Sequence, residues 1–338
     1  MNQELPAGIR PELFFGKKEE EKQEGCRVTQ VQVFPGILLF YYDIHAEHLD
    51  YDGSGLPFPE DLISIQHCRE GRFEGEYADG EFVYLGEGDL SVNIPETSPV
   101  RNAYPLSHYH GLNLVIGTAE AEKSLKELSG ILGTKPVNLG GIRQRLGKGN
   151  RLILFRSDPM IENIVSGLYC RGSCGGGFIR LRVLELLLYL SRAEHRESRE
   201  KPYFFRNQVQ AVKQIGAYLK AHPEERITLA DLSKRFGIPL TSMKQCFKGV
   251  YGTSPGVYLR QYRMELAARL LLTTSLPAAE IGLRVGYESP SKFSAVFSRQ
   301  MGCTPGEYRK SVVQTEQNTA GQSTAHEREN GIVEAQKE

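Results

Sequence analysis

No stretch of this 338-residue chain approaches the ~18 consecutive apolar residues of a membrane-spanning helix, so no membrane partner is expected. The N-terminus lacks the basic start and apolar core of a secretory signal, and a cytoplasmic location is the resulting expectation. Cysteine is sparse. Cys26, Cys68, Cys170, Cys174, Cys246 and Cys303 are scattered, unlike the dense framework of a small disulfide-stapled scaffold, and are read as reduced thiols. Net charge is missing too, with 41 basic against 41 acidic residues, which at first sight argues against a nucleic-acid partner.

The charge is, however, unevenly placed. Residues 203–312 hold 16 Lys and Arg against 7 Asp and Glu, net +9, which leaves the rest of the chain at net −9. Such a split suits a nucleic-acid-binding domain joined to an acidic partner domain. The hydrophobic fraction of 40% and charged fraction of 24% are those of an ordinary globular protein. The length exceeds what one core usually organises, so two domains and a connector are expected.

Residues 27–116 are strand-like. Val28-Thr-Gln-Val-Gln-Val alternates, Gly36-Ile-Leu-Leu-Phe-Tyr-Tyr reads as a buried strand, and further strands are expected at Leu62-Ile-Ser-Ile, Arg72-Phe-Glu-Gly-Glu-Tyr, Glu81-Phe-Val-Tyr-Leu and Gly111-Leu-Asn-Leu-Val-Ile. Turn residues separate them, as in Tyr51-Asp-Gly-Ser-Gly and Ala78-Asp-Gly, a rhythm that suggests a compact barrel or double-sheet roll. The period then becomes helical over 121–132, and Asp158-Pro159 opens a second helix to about Tyr169. Residues 170–177 are a glycine-rich break. A strongly apolar helix follows over 178–192, with Leu181, Leu184, Leu186, Leu187, Leu188 and Leu190 offering more apolar surface than one neighbour needs.

The second half contains an internal repeat. Phe247-Lys-Gly-Val-Tyr-Gly-Thr-Ser-Pro-Gly-Val-Tyr aligns on Phe297-Ser-Arg-Gln-Met-Gly-Cys-Thr-Pro-Gly-Glu-Tyr at an offset of 50. Upstream the offset is 49, pairing Leu232 with Ile281 and Gly237 with Gly286. Each copy reads as helix, glycine turn, helix: 229–236 and 241–250 in the first, 278–285 and 289–301 in the second. Glycine at the turn permits positive φ, so two helices can meet steeply. Thr228 three residues before Asp231, and Ser254-Pro255, Ser289-Pro290 and Thr304-Pro305, mark helix starts.

On the second helix of copy one, Leu240, Met243, Phe247 and Val250 are expected on the buried face, leaving Thr241, Lys244, Gln245 and Lys248 on the other. In copy two the stripe becomes Ser291, Ser294, Ala295 and Ser298, flanked by Lys292 and Arg299, opposite Pro290, Phe293, Phe297 and Met301. Residues 255–273 form a helix with Leu259, Tyr262, Leu266 and Leu270 along one side. It spans roughly 28 Å at ~1.5 Å per residue, near the ~34 Å between successive major-groove segments. A single such pattern also fits a plain helical hairpin; duplication, charge and spacer together favour DNA.

The stretch resembles the AraC/XylS family of bacterial transcription regulators. The matching signature is Leu229-Ala-Asp-Leu, Gly237, Phe247-Lys, Gly252-Thr-Ser-Pro, Tyr258-Leu, Arg263, Ala267, Leu270-Leu, Ile281, Val285-Gly-Tyr, Phe293-Ser, Phe297, Gly302, Thr304-Pro and Tyr308-Arg. The resemblance implies seven helices, with Thr241, Ser242, Lys244 and Gln245 in the first DNA-reading helix and Ser291, Lys292, Ser294 and Ala295 in the second. Gly282 and Ala295 depart from the pattern, where the family usually has alanine and a long polar side chain. The first helix is therefore expected to carry most base discrimination, with Lys292 and Arg299 meeting phosphates.

The resemblance further implies a cupin-like ligand-sensing barrel over 27–118, a connecting or dimerisation region over 119–192, and an activator that contacts double-stranded DNA, RNA polymerase and a small-molecule effector, with a homodimer in prospect. The fold class is thus α+β: an N-terminal antiparallel β domain and a C-terminal all-α double helix-turn-helix domain over 203–312, between a polar segment (1–26), a charged linker (193–202) and a disordered tail (313–338). His108 and His110 fall on one strand face, and with His67 they are the tempting metal constellation. The downstream glutamate of metal-binding cupins is missing before Glu120, so neither metal nor other cofactor is expected, and Cys170 with Cys174 completes no zinc site. The strand aromatics Phe34, Phe40, Tyr41, Tyr42, Phe73, Tyr77, Phe82 and Tyr84 are read mostly as core. Rival readings are a cupin-type metal-dependent enzyme fused to a DNA-binding module, and an architectural DNA binder without a ligand; no enzymatic role is expected.

Overall fold

The computed structural model describes residues 25–48, 61–94, 98–146, 152–156, 158–169, 175–192 and 203–310. The expected N-terminal segment before Gly25, the turn at 51–55, Cys170 and Cys174, the linker 193–202 and the tail 313–338 lie outside the described residues. The chain divides into two compact units, one reaching Val209 and taking in Lys248–Gly252, the other made of Gln210–Phe247 and Thr253 onward.

The first unit holds β1 (Cys26–Phe34), β2 (Ile37–Ile44), β3 (Leu62–Gly71), β4 (Phe73–Glu76), β5 (Glu81–Leu85), β6 (Leu90–Asn93), β7 (Arg101–Ala103) and β8 (Tyr109–Gly117). These are followed by α1 (Thr118–Ile131), α2 (Leu139–Leu146), β9 (Leu152–Phe155), α3 (Pro159–Leu168), α4 (Gly175–Arg192) and β10 (Tyr203–Phe205). The strands form two antiparallel sheets, in the orders β1-β2-β8-β3-β6-β9 and β10-β5-β4-β7. A closed barrel requires its first and last strands to pair. Among the described residues β1 and β9 instead remain at opposite edges of their sheet, so the unit is an open double sheet rather than a closed barrel.

Strand alternation sorts the apolar residues into two layers. Ile37, Leu39 and Tyr41 on β2, with Ile63, Ile65, Leu112 and Leu114, pack against Leu125, Ile161, Ile164, Leu168, Val183 and Leu187 of the helices. On the sheet's other side Leu38 and Phe40 join Leu62 and Val115. Ile44, Cys68 and Tyr109 meet Phe73, Val83 and Leu85 of the second sheet. α3 starts as its sequence dictates: the Asp158 carboxylate accepts from the N–H groups of Met160 at 2.9 Å and Ile161 at 3.1 Å, with Pro159 in the first turn. α4 packs on this core through Val183, Leu184, Leu186, Leu187 and Leu190, whereas Leu181 is exposed, because it lies outside the face those residues turn to the sheet. Cys26, Cys68, Cys246 and Cys303 are free thiols.

The second region is helical: α5 (Arg206–Ala221), α6 (Leu229–Arg235), α7 (Leu240–Tyr251), α8 (Pro255–Thr273), α9 (Ala278–Arg284) and α10 (Pro290–Met301), with a seventh helix begun over 305–310. The repeat is visible in its geometry. Phe247 meets Tyr258 edge to face at 5.4 Å and 79°, and fifty residues on Phe297 meets Tyr308 at 5.5 Å and 84°. Gly237 and Gly286, and likewise Gly252 and Gly302, take left-handed φ of +62°, +86°, +77° and +76°. Arginine ties each copy's opening loop. The Arg263 guanidinium donates to the carbonyls of Pro223 and Glu225 ahead of α6, and that of Arg309 to Leu271 and Leu276 ahead of α9.

α8 forms over the expected residues 255–273. Its buried line is Tyr258, Met264, Ala267, Ala268 and Leu271, while Leu259, Tyr262, Leu266 and Leu270 are only half-buried. The two alanines share one core with Ile281, Val285, Phe293 and Phe297, against which Leu266 and Leu270 pack from its edge. Among the described residues no helix is long and apolar enough to cross a membrane.

Candidate nucleic-acid interface

Both second helices sit on firm local chemistry. α6 opens with a reciprocal cap: the Thr228 hydroxyl accepts from the Asp231 N–H at 3.2 Å and the Asp231 carboxylate accepts from the Thr228 N–H at 3.1 Å. The Thr228 hydroxyl also donates to the Asp231 carboxylate at 2.6 Å, and this bond, followed by that from the Thr228 N–H, holds the carboxyl below its usual range. Thr304 and Glu307 repeat the device, at 3.3 Å and 2.8 Å, and Glu307 is lowered for the same reason. Ser254 and Ser289 cap α8 and α10 by accepting from the N–H groups of Val257 and Lys292.

On α7 the buried face is Met243, Cys246, Phe247 and Val250, each fully shielded. Leu240, expected on that face, is 39% exposed. As the first residue of the helix it lies before the turn that reaches the core, and Cys246 takes its place in the buried line. Thr241, Lys244, Gln245 and Lys248 are all exposed and Ser242 is half-buried. In copy two Phe293 and Phe297 are the buried pair, and Pro290 is exposed at the helix start. Ser291, Lys292, Ala295 and Arg299 form the exposed stripe, while Ser294 and Ser298 are half-buried. The two faces are therefore unequal, and the first carries the longer hydrogen-bonding side chains.

Lys244, Lys248, Lys292 and Arg299 enter no ion pair among the described residues. Nearby cations are engaged: Arg226 pairs with Glu288 at 2.6 Å and Arg284 with Glu280 at 2.9 Å. Unneutralised cations on two matched helix faces suit a phosphate backbone.

The N-terminal unit has its own polar sites. A cleft of about 630 Å³ is bordered by His67, Arg69, Glu87, Glu162 and Tyr169. His67 lies there, hydrogen-bonded to the Tyr169 hydroxyl at 2.9 Å and the Glu162 carboxylate at 3.3 Å, and its burial lowers its affinity for a proton. It does not join His108 and His110. Their companion is His45, which follows β2, and the three rings present donor atoms within 4.8 Å of one another. His45 escaped the sequence reading because only the β2–β8 register brings it near.

A tandem helix-turn-helix unit with two matched, cationic helix faces is the architecture of a DNA-binding domain. A family model described as "Helix-turn-helix domain" matches residues 232–311. Across 99 residues, 29% of this chain and 36% of its own length, the HTH-type transcriptional regulator ExsA of Pseudomonas aeruginosa is 32% identical. The thermoregulatory protein LcrF of Yersinia pestis is 26% identical over 195 residues, 52% of this chain and 67% of its own. Among solved structures, the C-terminal domain of AraT, a response regulator from Geobacillus stearothermophilus, is 32% identical, covering 34% of this chain and 88% of its own with a TM-score of 0.29. The match to ExsA thus spans about a third of that relative's length. The C-terminal domain is thus similar to the helix-turn-helix domains of bacterial transcription regulators.

Proposed function

We propose that this chain is a sequence-specific transcription regulator, an activator that places α7 and α10 in adjacent major-groove segments of double-stranded DNA and contacts RNA polymerase. The observation that carries the reading is the exposed stripe of Thr241, Lys244, Gln245 and Lys248 on a helix whose other face is buried, repeated in weaker form fifty residues on. In this reading Thr241, Ser242, Lys244 and Gln245 meet base edges. Lys248, Ser291, Lys292, Ser294 and Arg299 anchor the duplex through its phosphates. The N-terminal double sheet serves as a cupin-like sensor, its cleft beside His67 and Glu162 takes a small-molecule effector, and the helices after β8 connect or dimerise. The protein works in the cytoplasm and turns over no substrate.

The test is selection of the full chain's binding sites from a random duplex pool. The expected result is one enriched motif with two unequal half-sites about one helical turn, ~34 Å, apart. Binding without an enriched motif, or bending of DNA without sequence preference, is the outcome that overturns it.

A further inference from the structure

We propose that His45, His108 and His110 form a binding site for one divalent transition-metal ion of the Zn(II) type, with Glu70 holding two of the imidazoles in place and Asp43 facing the third. The site goes beyond the DNA-reading function and does not rest on it.

Three strands build it. Asp43 on β2 and Glu70 on β3 are both direct cross-strand neighbours of His110 on β8, so the three lie in one row across the sheet. His45 follows the end of β2, two residues beyond Asp43, and His108 immediately precedes β8, two residues before His110. A bulge in β3 between Cys68 and Glu70 shifts the register there, a device that re-aims side chains. The backbone at His108 is tightly determined. Ser107 before it has φ +52°, the one non-glycine left-handed residue among those described. A Cβ on Gly71 would meet the His108 carbonyl oxygen at 1.9 Å. Backbone strain of this kind gathers at functional sites.

The donor atoms point to a cation. Asp43 Oδ1 lies 2.8 Å from His110 Nε2 and 3.0 Å from His45 Nε2. Asp43 Oδ1 and His110 Nε2 are nevertheless shielded from solvent without a hydrogen-bond partner, so these close approaches lack hydrogen-bond alignment. The unpartnered His110 Nε2 has a lone pair that can be given to a cation. Two ligands each ~2.0–2.1 Å from a tetrahedral metal sit roughly 3.3 Å apart, and His108 Nδ1 is 3.4 Å from His45 Nδ1.

The remaining nitrogens face one carboxylate. Glu70 Oε2 is 3.2 Å from His110 Nδ1 and 3.6 Å from His108 Nε2, the carboxylate–imidazole support that orients metal-bound histidine. Three imidazoles favour zinc and its neighbours over magnesium or calcium.

Full-length protein, stripped with chelator, is titrated with Zn(II) and separately with Co(II), reading bound metal by elemental analysis after equilibrium dialysis and cobalt coordination by visible absorption. One equivalent is expected to bind at micromolar free metal. His45→Ala, at an exposed position, and the double variant His108→Ala/His110→Ala should each lose it. Glu70→Gln should weaken affinity by about tenfold to a hundredfold, and His222→Ala should change nothing. The proposal is overturned if the wild-type chain takes up no stoichiometric metal, or if His45→Ala binds as tightly as wild type.

Discussion

The two turn glycines occupy the same place in the repeat but different surroundings, and this yields a quantitative contrast. Gly237 has φ +62° and a Cβ built there meets nothing within 4 Å. Gly237→Ala therefore bears the left-handed backbone cost of ~1–2 kcal/mol, offset by ~0.4–1 kcal/mol from a stiffer unfolded chain. The net loss is about 1 kcal/mol. Gly286 has φ +86°, and its Cβ would sit 2.7 Å from Arg263 Nη2 and 2.8 Å from the Pro223 carbonyl oxygen. Gly286→Ala must therefore also displace the guanidinium that donates to Pro223 at 2.5 Å and Glu225 at 3.1 Å. A charge-assisted hydrogen bond is worth ~1.5–3 kcal/mol, and partial exposure keeps this one at the low end. With the backbone shift included, the total loss is about 3 kcal/mol. The difference of about 2 kcal/mol is roughly thirtyfold in an opening equilibrium. Hydrogen exchange of the full chain, followed on peptides from α8, α9 and α10, reads it directly: exchange in Gly286→Ala should run about thirtyfold faster than in Gly237→Ala. Equal acceleration in the two variants, or a larger effect at Gly237, would refute the reasoning.

Gly282→Ala restores the residue usual in the family but places a Cβ 3.0 Å from Phe293 Cγ. The ring is fully buried beside Phe297 and Tyr287 and cannot yield, so crowding of ~1–3 kcal/mol should outweigh the ~1 kcal/mol helix gain and lower the melting temperature. Acid should loosen the starts of α6 and the helix over 305–310 together. Asp231 and Glu307 have lowered folded-state pKa values, so their capping contribution is fully present above the unfolded values near ~4 and fades as pH falls through the folded ones. Amide exchange at 228–232 and 304–308 against pH should follow this sense in wild type and be flat in Asp231→Asn/Glu307→Gln; faster exchange on raising the pH towards neutral, beyond the intrinsic base catalysis, would contradict it.

The helical half was legible because its signals are local and doubled. An offset of 50 aligns residues that make the same ring pair and the same turn, and the capping hydroxyls sit where the helices begin. On α8 the stripe Leu259, Tyr262, Leu266 and Leu270 is only half-buried, and the smaller Ala267 and Ala268 lie in the core, a choice that residue size alone does not reveal. In the N-terminal half the long strands announced themselves, but β6, β7, β9 and β10 span only three or four residues, too few for a period to show. β9 lies after two helices in the chain yet pairs with β6, a long-range contact with no local signature. The same limit hid His45 and Glu70. The His-x-His spacing drew attention to β8, but its partners come from β2 and β3 through register.

The central claim, that α7 discriminates sequence while α10 anchors, is tested most directly by measuring Gln245→Ala and Arg299→Ala against selected and scrambled duplexes by fluorescence anisotropy over a range of salt. Gln245→Ala should lose ~1–3 kcal/mol on the selected duplex and leave the scrambled one unchanged. Arg299→Ala should weaken both alike and reduce the salt slope by about 1. If both variants weaken selected and scrambled DNA equally, or if Arg299→Ala alone abolishes the preference, the division of labour between the two helices is contradicted.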